Sequence, residues 1–212
     1  MEQTVSGVGV LDKSLAVLDA VASGGPSSLA ELVGSTGFSR ATVHRLAVAL
    51  EAHGLLRRDP AGRFALGLRL VGLGRMAAEA WPLRERAAPL LAGLRDDTGE
   101  SVQLYVRDGD ARLCVASLES PHELRTMVAL GARLPLTRGS AGTVLRGDVP
   151  AGEQWVESVE ERAPGVASVS AGARVGGELV AISVSGPIER TTRTPGRRYG
   201  PLVAAAAKQL TD

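Results

Sequence analysis

Cysteine is nearly absent from this chain: Cys114 is the only one in 212 residues, and the histidines number three, His44, His53 and His122. A lone thiol excludes an intramolecular disulfide, and so sparse a supply of soft ligands argues against a zinc-type site, so no metal or other cofactor is expected. No apolar run approaches the roughly 20 residues that a membrane helix requires. The N-terminus lacks the charged-then-apolar order of a secretory leader. These absences point to a reducing cytoplasm and away from membranes. Lysine is scarce too, since Lys13 and Lys208 are the only two among 24 cationic side chains. Arginine's fork suits phosphates and bases, although an arginine-biased genome would leave the same count.

The net charge of +1 argues for no particular partner, but its distribution does. Between Arg40 and Arg75 seven arginines stand against only Glu51 and Asp59, a local balance of +5. The rest of the chain is slightly acidic, which confines attraction for a polyanion to one module. That module reads as one device from Ser27 to Gly67. Ser28 and Glu31 have the spacing of a capping box and open a short helix with Leu29, Leu32 and Val33 on one side. Ser35 to Phe38 break the pattern at a turn containing Gly37. Ser39 then caps a second helix, with Phe38 and Val43 spaced as a hydrophobic staple. In that helix Val43, Leu46, Ala47 and Leu50 form the buried stripe. Rotation by about 100° per residue puts Ala41, Arg45 and Val48 opposite the stripe, Thr42 and His44 on its flanks, and Arg40 in the first turn. Gly54 suits the position just past the helix end.

A hairpin follows. Asp59-Pro60-Ala61-Gly62 fits a type I turn, and the alternation around it turns Leu56, Phe64 and Leu66 toward the domain and Arg57 and Arg63 outward, with Arg58 beside the turn. Two helices, a turn and a basic hairpin make a winged helix-turn-helix, whose second helix contacts base edges in the major groove with its N-terminal half. The candidate DNA contacts are Ser28, Ser39, Arg40, Ala41, Thr42, His44 and Arg45, with Arg57, Arg58 and Arg63 on the wing. Arg45 is the best aimed, and Ala41 is short enough to pack on a thymine methyl. Two plainer readings stay open: the arginines solvate a winged helix used for protein contacts, and His44 is an ordinary helix-flank residue.

Upstream, Leu11, Leu15, Leu18, Val21 and Ala22 make a helical stripe that ends at Ser23-Gly24-Gly25-Pro26. Downstream, Leu68, Leu70, Val71, Leu73 and Met76 mark a linker helix suited to dimer contacts, interrupted by Trp81-Pro82 before a further helical run through Leu90, Leu91 and Leu94. Gly72-Leu73-Gly74 superficially matches a dinucleotide fingerprint, but inside helical periodicity these glycines suit close helix packing instead. Beyond Gly99 the period becomes that of strands: 102–106 and 113–116 around Asp108-Gly109, a third run from Arg125 to Leu130, then 165–170 and 179–185 around Gly176-Gly177. A helical tail runs from Tyr199 to Leu210. Helices with an antiparallel sheet make an α+β second domain.

In that domain Ser168 and Ser170, and Ser183 and Ser185, fall on one strand face. They suit a shallow polar ligand cavity, or are ordinary sheet-face hydroxyls. No G-x-S-x-G elbow is present and no nucleophile, base or metal constellation accompanies them, so an enzyme is not expected.

Five segments, in order, resemble the IclR family of bacterial transcriptional regulators. They are Val10 to Leu15, Ser39 to Leu46, Leu134-Pro135-Leu136 with Gly139 to Gly142, Pro164 to Ser170, and Ala181 to Pro187. The resemblance covers nearly the whole chain. It implies an α+β protein with an N-terminal winged helix-turn-helix (1–67), a linker helix (68–82) and a C-terminal GAF-like α/β effector-binding domain (83–212). It also implies homodimers or tetramers on palindromic double-stranded operators, controlled by a small metabolite such as an organic acid or amino acid. Matched onto this chain, the family's effector cavity falls at Ser140, Ala141, Ser168, Ser183 and Ser185, with Ser158 and Val166.

One stretch departs from the family. Between Leu145 and Trp155 lie only Arg146 to Gln154, where most members carry a further helix and loop that wall the cavity. The pocket is therefore expected to be open, smaller, closed by a partner subunit, or unresponsive. The sequence thus reads as a sequence-specific, effector-modulated transcriptional regulator. The alternatives are a constitutive repressor whose C-terminal domain only oligomerises, and a winged-helix protein-interaction module.

Overall fold

Capping residues and apolar stripes set the first part of the chain into helices. A computed structural model describes residues 8–79 and 83–212, so the expected interruption at Trp81-Pro82 lies outside the described residues. The chain divides into two units, Met1–Trp81 and Pro82–Asp212.

In the first unit α1 (Gly9–Gly24), α2 (Leu29–Thr36) and α3 (Arg40–Ala52) precede a hairpin of β1 (Leu56–Arg58) and β2 (Phe64–Leu66), and α4 (Arg69–Glu79) follows. The capping box at Ser28 is formed in full, and Gly37 leaves α2 in the left-handed region at φ 70°. The core gathers Val17, Val21, Leu32, Val43, Leu46, Ala47, Leu50, Leu56 and Phe64. The α3 stripe is therefore the one expected.

Three expectations fail here. In α1 the buried positions are Val17 and Val21, while Leu11 and Leu15 are exposed, because the core touches only the C-terminal half of that helix. Leu66 is 40% exposed and Ala65 is buried instead. The wing strand is at the domain margin, where Gly67 backs onto the carbonyl of Gly54 and turns the chain into α4. Gly72 and Gly74 lie in α4 as expected, but a Cβ on either would meet nothing within 4 Å, so close helix packing does not explain them within this chain.

The second unit runs α5 (Leu83–Thr98), β3 (Ser101–Asp108), β4 (Ala111–Leu118), β5 (Arg133–Pro135), α6 (Ser140–Arg146), β6 (Val156–Val159), β7 (Val166–Val175), β8 (Glu178–Pro187), α7 (Ile188–Thr191) and α8 (Pro195–Leu210). The sheet is antiparallel, in the order β5-β4-β3-β8-β7-β6. Ser168 and Ser170 turn toward α6, which leaves Ala167, Val169, Ala171 and Ala173 for the opposite face. There α5 and α8 pack on the sheet, and the result is a mixed α+β, GAF-like domain.

The run from Arg125 to Leu130 is not a strand. Thr126 and Val128 are buried and Met127 is exposed, an alternation that stops before the exposed Leu130. The segment makes no ladder, and the edge strand comes later, at β5, pairing with Ala111 to Leu113. Among the described residues no helix is long and apolar enough to cross a membrane.

Candidate nucleic-acid interface and C-terminal cavity

The start of α3 is held by Ser39, whose Oγ accepts from the Thr42 N–H at 3.3 Å and lies 2.9 Å from the Thr42 hydroxyl. With the helix anchored by its apolar stripe, Arg40, Ala41, His44, Arg45 and Val48 are exposed and Thr42 is half-buried. Ser28 is likewise engaged, accepting from Glu31 N and donating its own N–H to Glu31 Oε2 at 2.7 Å. That bond holds the Glu31 carboxyl below its ordinary range.

The wing arginines differ from one another. Arg58 donates to the Gly62 carbonyl at 2.7 Å, pairs with Glu51 at 3.3 Å and lies 3.6 Å from the centre of the Phe64 ring. Arg63 pairs with Asp59 at 2.9 Å, and Asp59 Oδ1 also accepts from the N–H groups of Ala61 and Arg63. Both side chains therefore hold the wing in shape. Arg40, Arg45 and Arg57 are exposed, and among the described residues none of them has an ion-pair partner. The structure thus separates three unengaged cations from two structural ones.

In the second unit the serines do converge. Cross-strand register sets Ser158 opposite Ser168, Ser168 opposite Ser185, and Ser170 opposite Ser183. Ser140, at the start of α6, places its Oγ 2.8 Å from that of Ser168 and 2.7 Å from that of Ser170. Ser140, Ala141, Ser158, Val166, Ser168, Ser183 and Ser185 all line one cavity, whose free volume is about 20 Å³. That is close to what one water molecule needs.

Four further side chains line the cavity: Gln103, Tyr105, Arg112 and Arg162. Arg112 reaches it through a β-bulge. The β3–β4 register runs Leu104 opposite Ala116 and then Tyr105 opposite Cys114, so Val115 is the extra residue. An unbroken ladder would set Leu113 opposite Arg107 and turn Arg112 to the other face. Once inside, Arg112 is only 2% exposed, and its Nη1 donates to the carbonyls of Pro135 and Arg138. It thereby clamps the loop that leads into α6. Burial raises the Tyr105 hydroxyl to about 12 and the Cys114 thiol to about 11. Both are neutral at ordinary pH, so Tyr105 brings no phenolate to the cavity, and Cys114 belongs to the adjoining apolar core. No local pattern in the sequence marks Gln103 or Arg112, because their convergence depends on strand order and on the bulge.

The models of the IclR helix-turn-helix domain and of the bacterial transcriptional regulator IclR C-terminal domain match residues 10–60 and 76–154. The HTH-type transcriptional regulator KipR of Bacillus subtilis is 33% identical over 138 residues, 65% of this chain and 55% of KipR. The chain spans about half the length of the first curated relatives it matches. The crystal structure of an IclR family transcriptional regulator from Brucella abortus covers 99% of this chain and 93% of its own, with a TM-score of 0.78 at 20% identity. An IclR homologue from Microbacterium hydrocarbonoxydans, crystallised with 4-hydroxybenzoate, covers 95% and 98%, with a TM-score of 0.75 at 17% identity. With both of the family's domains matched in order, and the same fold in its solved members, the chain belongs to the IclR family of transcriptional regulators.

Proposed function

We propose that this protein is a sequence-specific DNA-binding regulator, with 1–67 as reader, 68–82 as linker helix and 83–212 as effector-binding and oligomerisation unit. The observation that carries this reading is the set of exposed, unpaired cations Arg40, Arg45 and Arg57. Arg45, with Thr42 and His44 beside it, stands where a recognition helix meets base edges, and its fork matches O6 and N7 of guanine. Arg40 and Arg57 suit phosphates. Two copies set on a palindrome would place their recognition helices in successive major grooves about 34 Å apart.

The cavity beneath Ser140 is the proposed effector site, a reading supported by a homologue of the same fold crystallised with an aromatic acid. Its small free volume favours a second reading, in which larger acids are not admitted and repression is constitutive.

Sequencing DNA fragments captured by the purified protein, followed by mobility-shift titration, tests the main reading. Arg45→Ala should cost about 1–3 kcal/mol on the captured site and relax specificity there. Binding no tighter than to random duplex would sink the proposal.

A further inference from the structure

Among the described residues the buried guanidinium of Arg112 in this cavity has no ion-pair partner, and the carboxylate held at the cavity wall, Glu161, is engaged by the Gly139 N–H at 2.8 Å. The guanidinium of Arg112 lies 5.4 Å from the centre of the neutral Tyr105 ring, and Arg162 and Arg146 act on it as further cations. Arg146 is paired with Asp148 at 2.7 Å. Among the described residues no carboxylate pairs with Arg112 or Arg162. The carbonyls of Pro135 and Arg138 orient the Arg112 guanidinium without neutralising it, and its Nε–H has no acceptor. Gln103, completely buried, faces the same cavity. Its Oε1 accepts from the Ser185 hydroxyl at 3.0 Å, which leaves the Nε2 hydrogens with no acceptor either.

The unmet need is therefore one of acceptor and of negative charge. A water molecule would satisfy the donors and leave the cation uncompensated, and an uncompensated buried charge is costly. An anion meets both demands. The confined space, about 20 Å³, favours a compact anion such as a halide, nitrate or formate over a bulky one.

We infer that this cavity is a site for a compact monoanion, seated between Arg112 and Gln103. The inference deepens the proposed effector reading and rests on it for any regulatory consequence.

The full-length protein is melted in sodium chloride, nitrate, formate and gluconate at matched ionic strength, with chlorine NMR line broadening as the direct readout of binding. The three compact anions should raise the melting temperature saturably and gluconate should not. Gln103→Leu removes the amide donors at similar volume and should weaken the midpoint about tenfold or more. Gln103→Glu supplies the negative charge from the chain itself. It should melt in gluconate as the unmodified protein does in saturating chloride, and no longer respond to anions, a result that a merely structural glutamine would not give. Identical melting in all four salts, or a midpoint unchanged in Gln103→Leu, overturns the inference. Saturable binding of benzoate with no response to compact anions also overturns it and leaves the effector reading standing. Compact-anion binding by a protein that captures no DNA supports the site and sinks the regulator.

Discussion

Arg57 and Arg63 carry the same charge on the same wing, yet only Arg57 is free of an ion pair. Arg63 is tied to Asp59, which also receives two backbone N–H groups of the turn. Arg57→Ala should therefore weaken binding to all DNA sequences alike and flatten the salt dependence by roughly one counterion. Arg63→Ala should change the salt slope less, because its charge is already half-compensated, and should instead loosen the hairpin. Titrating both variants against one duplex at several salt concentrations decides between these outcomes. Equal slopes would mean that Arg63 leaves Asp59 for phosphate on binding. The sequence placed both arginines on the outer face of the wing. It did not show the difference between them, because pairing is a matter of side-chain reach across the turn.

At the scale of elements, α3 is the piece on which the reading of DNA depends, and its start is fixed by one hydroxyl. Ser39→Ala removes the acceptor for the Thr42 N–H and should cost about 1 kcal/mol of stability by urea denaturation. Ser39→Asp should keep the cap and the stability but place a negative charge beside Arg40, so DNA binding should fall while folding does not. The boundaries of α2 and α3 were legible in the sequence because a cap, a stripe and a terminal glycine are all local signals. The segment from Arg125 to Leu130 misled for a physical reason. Alternating burial demands only that one side of an extended chain meet a core, and Val128 does so, whereas a strand also needs a neighbour at ladder distance.

For the whole molecule, the first unit leaves much apolar surface uncovered: Val10, Leu11 and Leu15 on α1, and Leu68, Val71 and Met76 on or beside α4. Exposed apolar surface of this kind marks association, and the proposed dimer supplies a partner. Replacing Val71 and Met76 together with Asp should give a monomer by light scattering, with unchanged helical signal and sharply weakened operator binding. A dimer that persists would place the interface elsewhere. What the sequence alone determined is the local grammar: a capped helix-turn-helix with its buried stripe and basic wing, an antiparallel second domain, and serines that share one strand face. Each of these follows from propensity, period or spacing within a few residues. Tertiary structure alone decided that Arg112 enters the serine cavity, that Gln103 meets it there, and that little free space remains between them. One extra residue in β4 inverts the faces of the strand beyond it, and cross-strand pairing, which no local pattern records, sets where that residue falls.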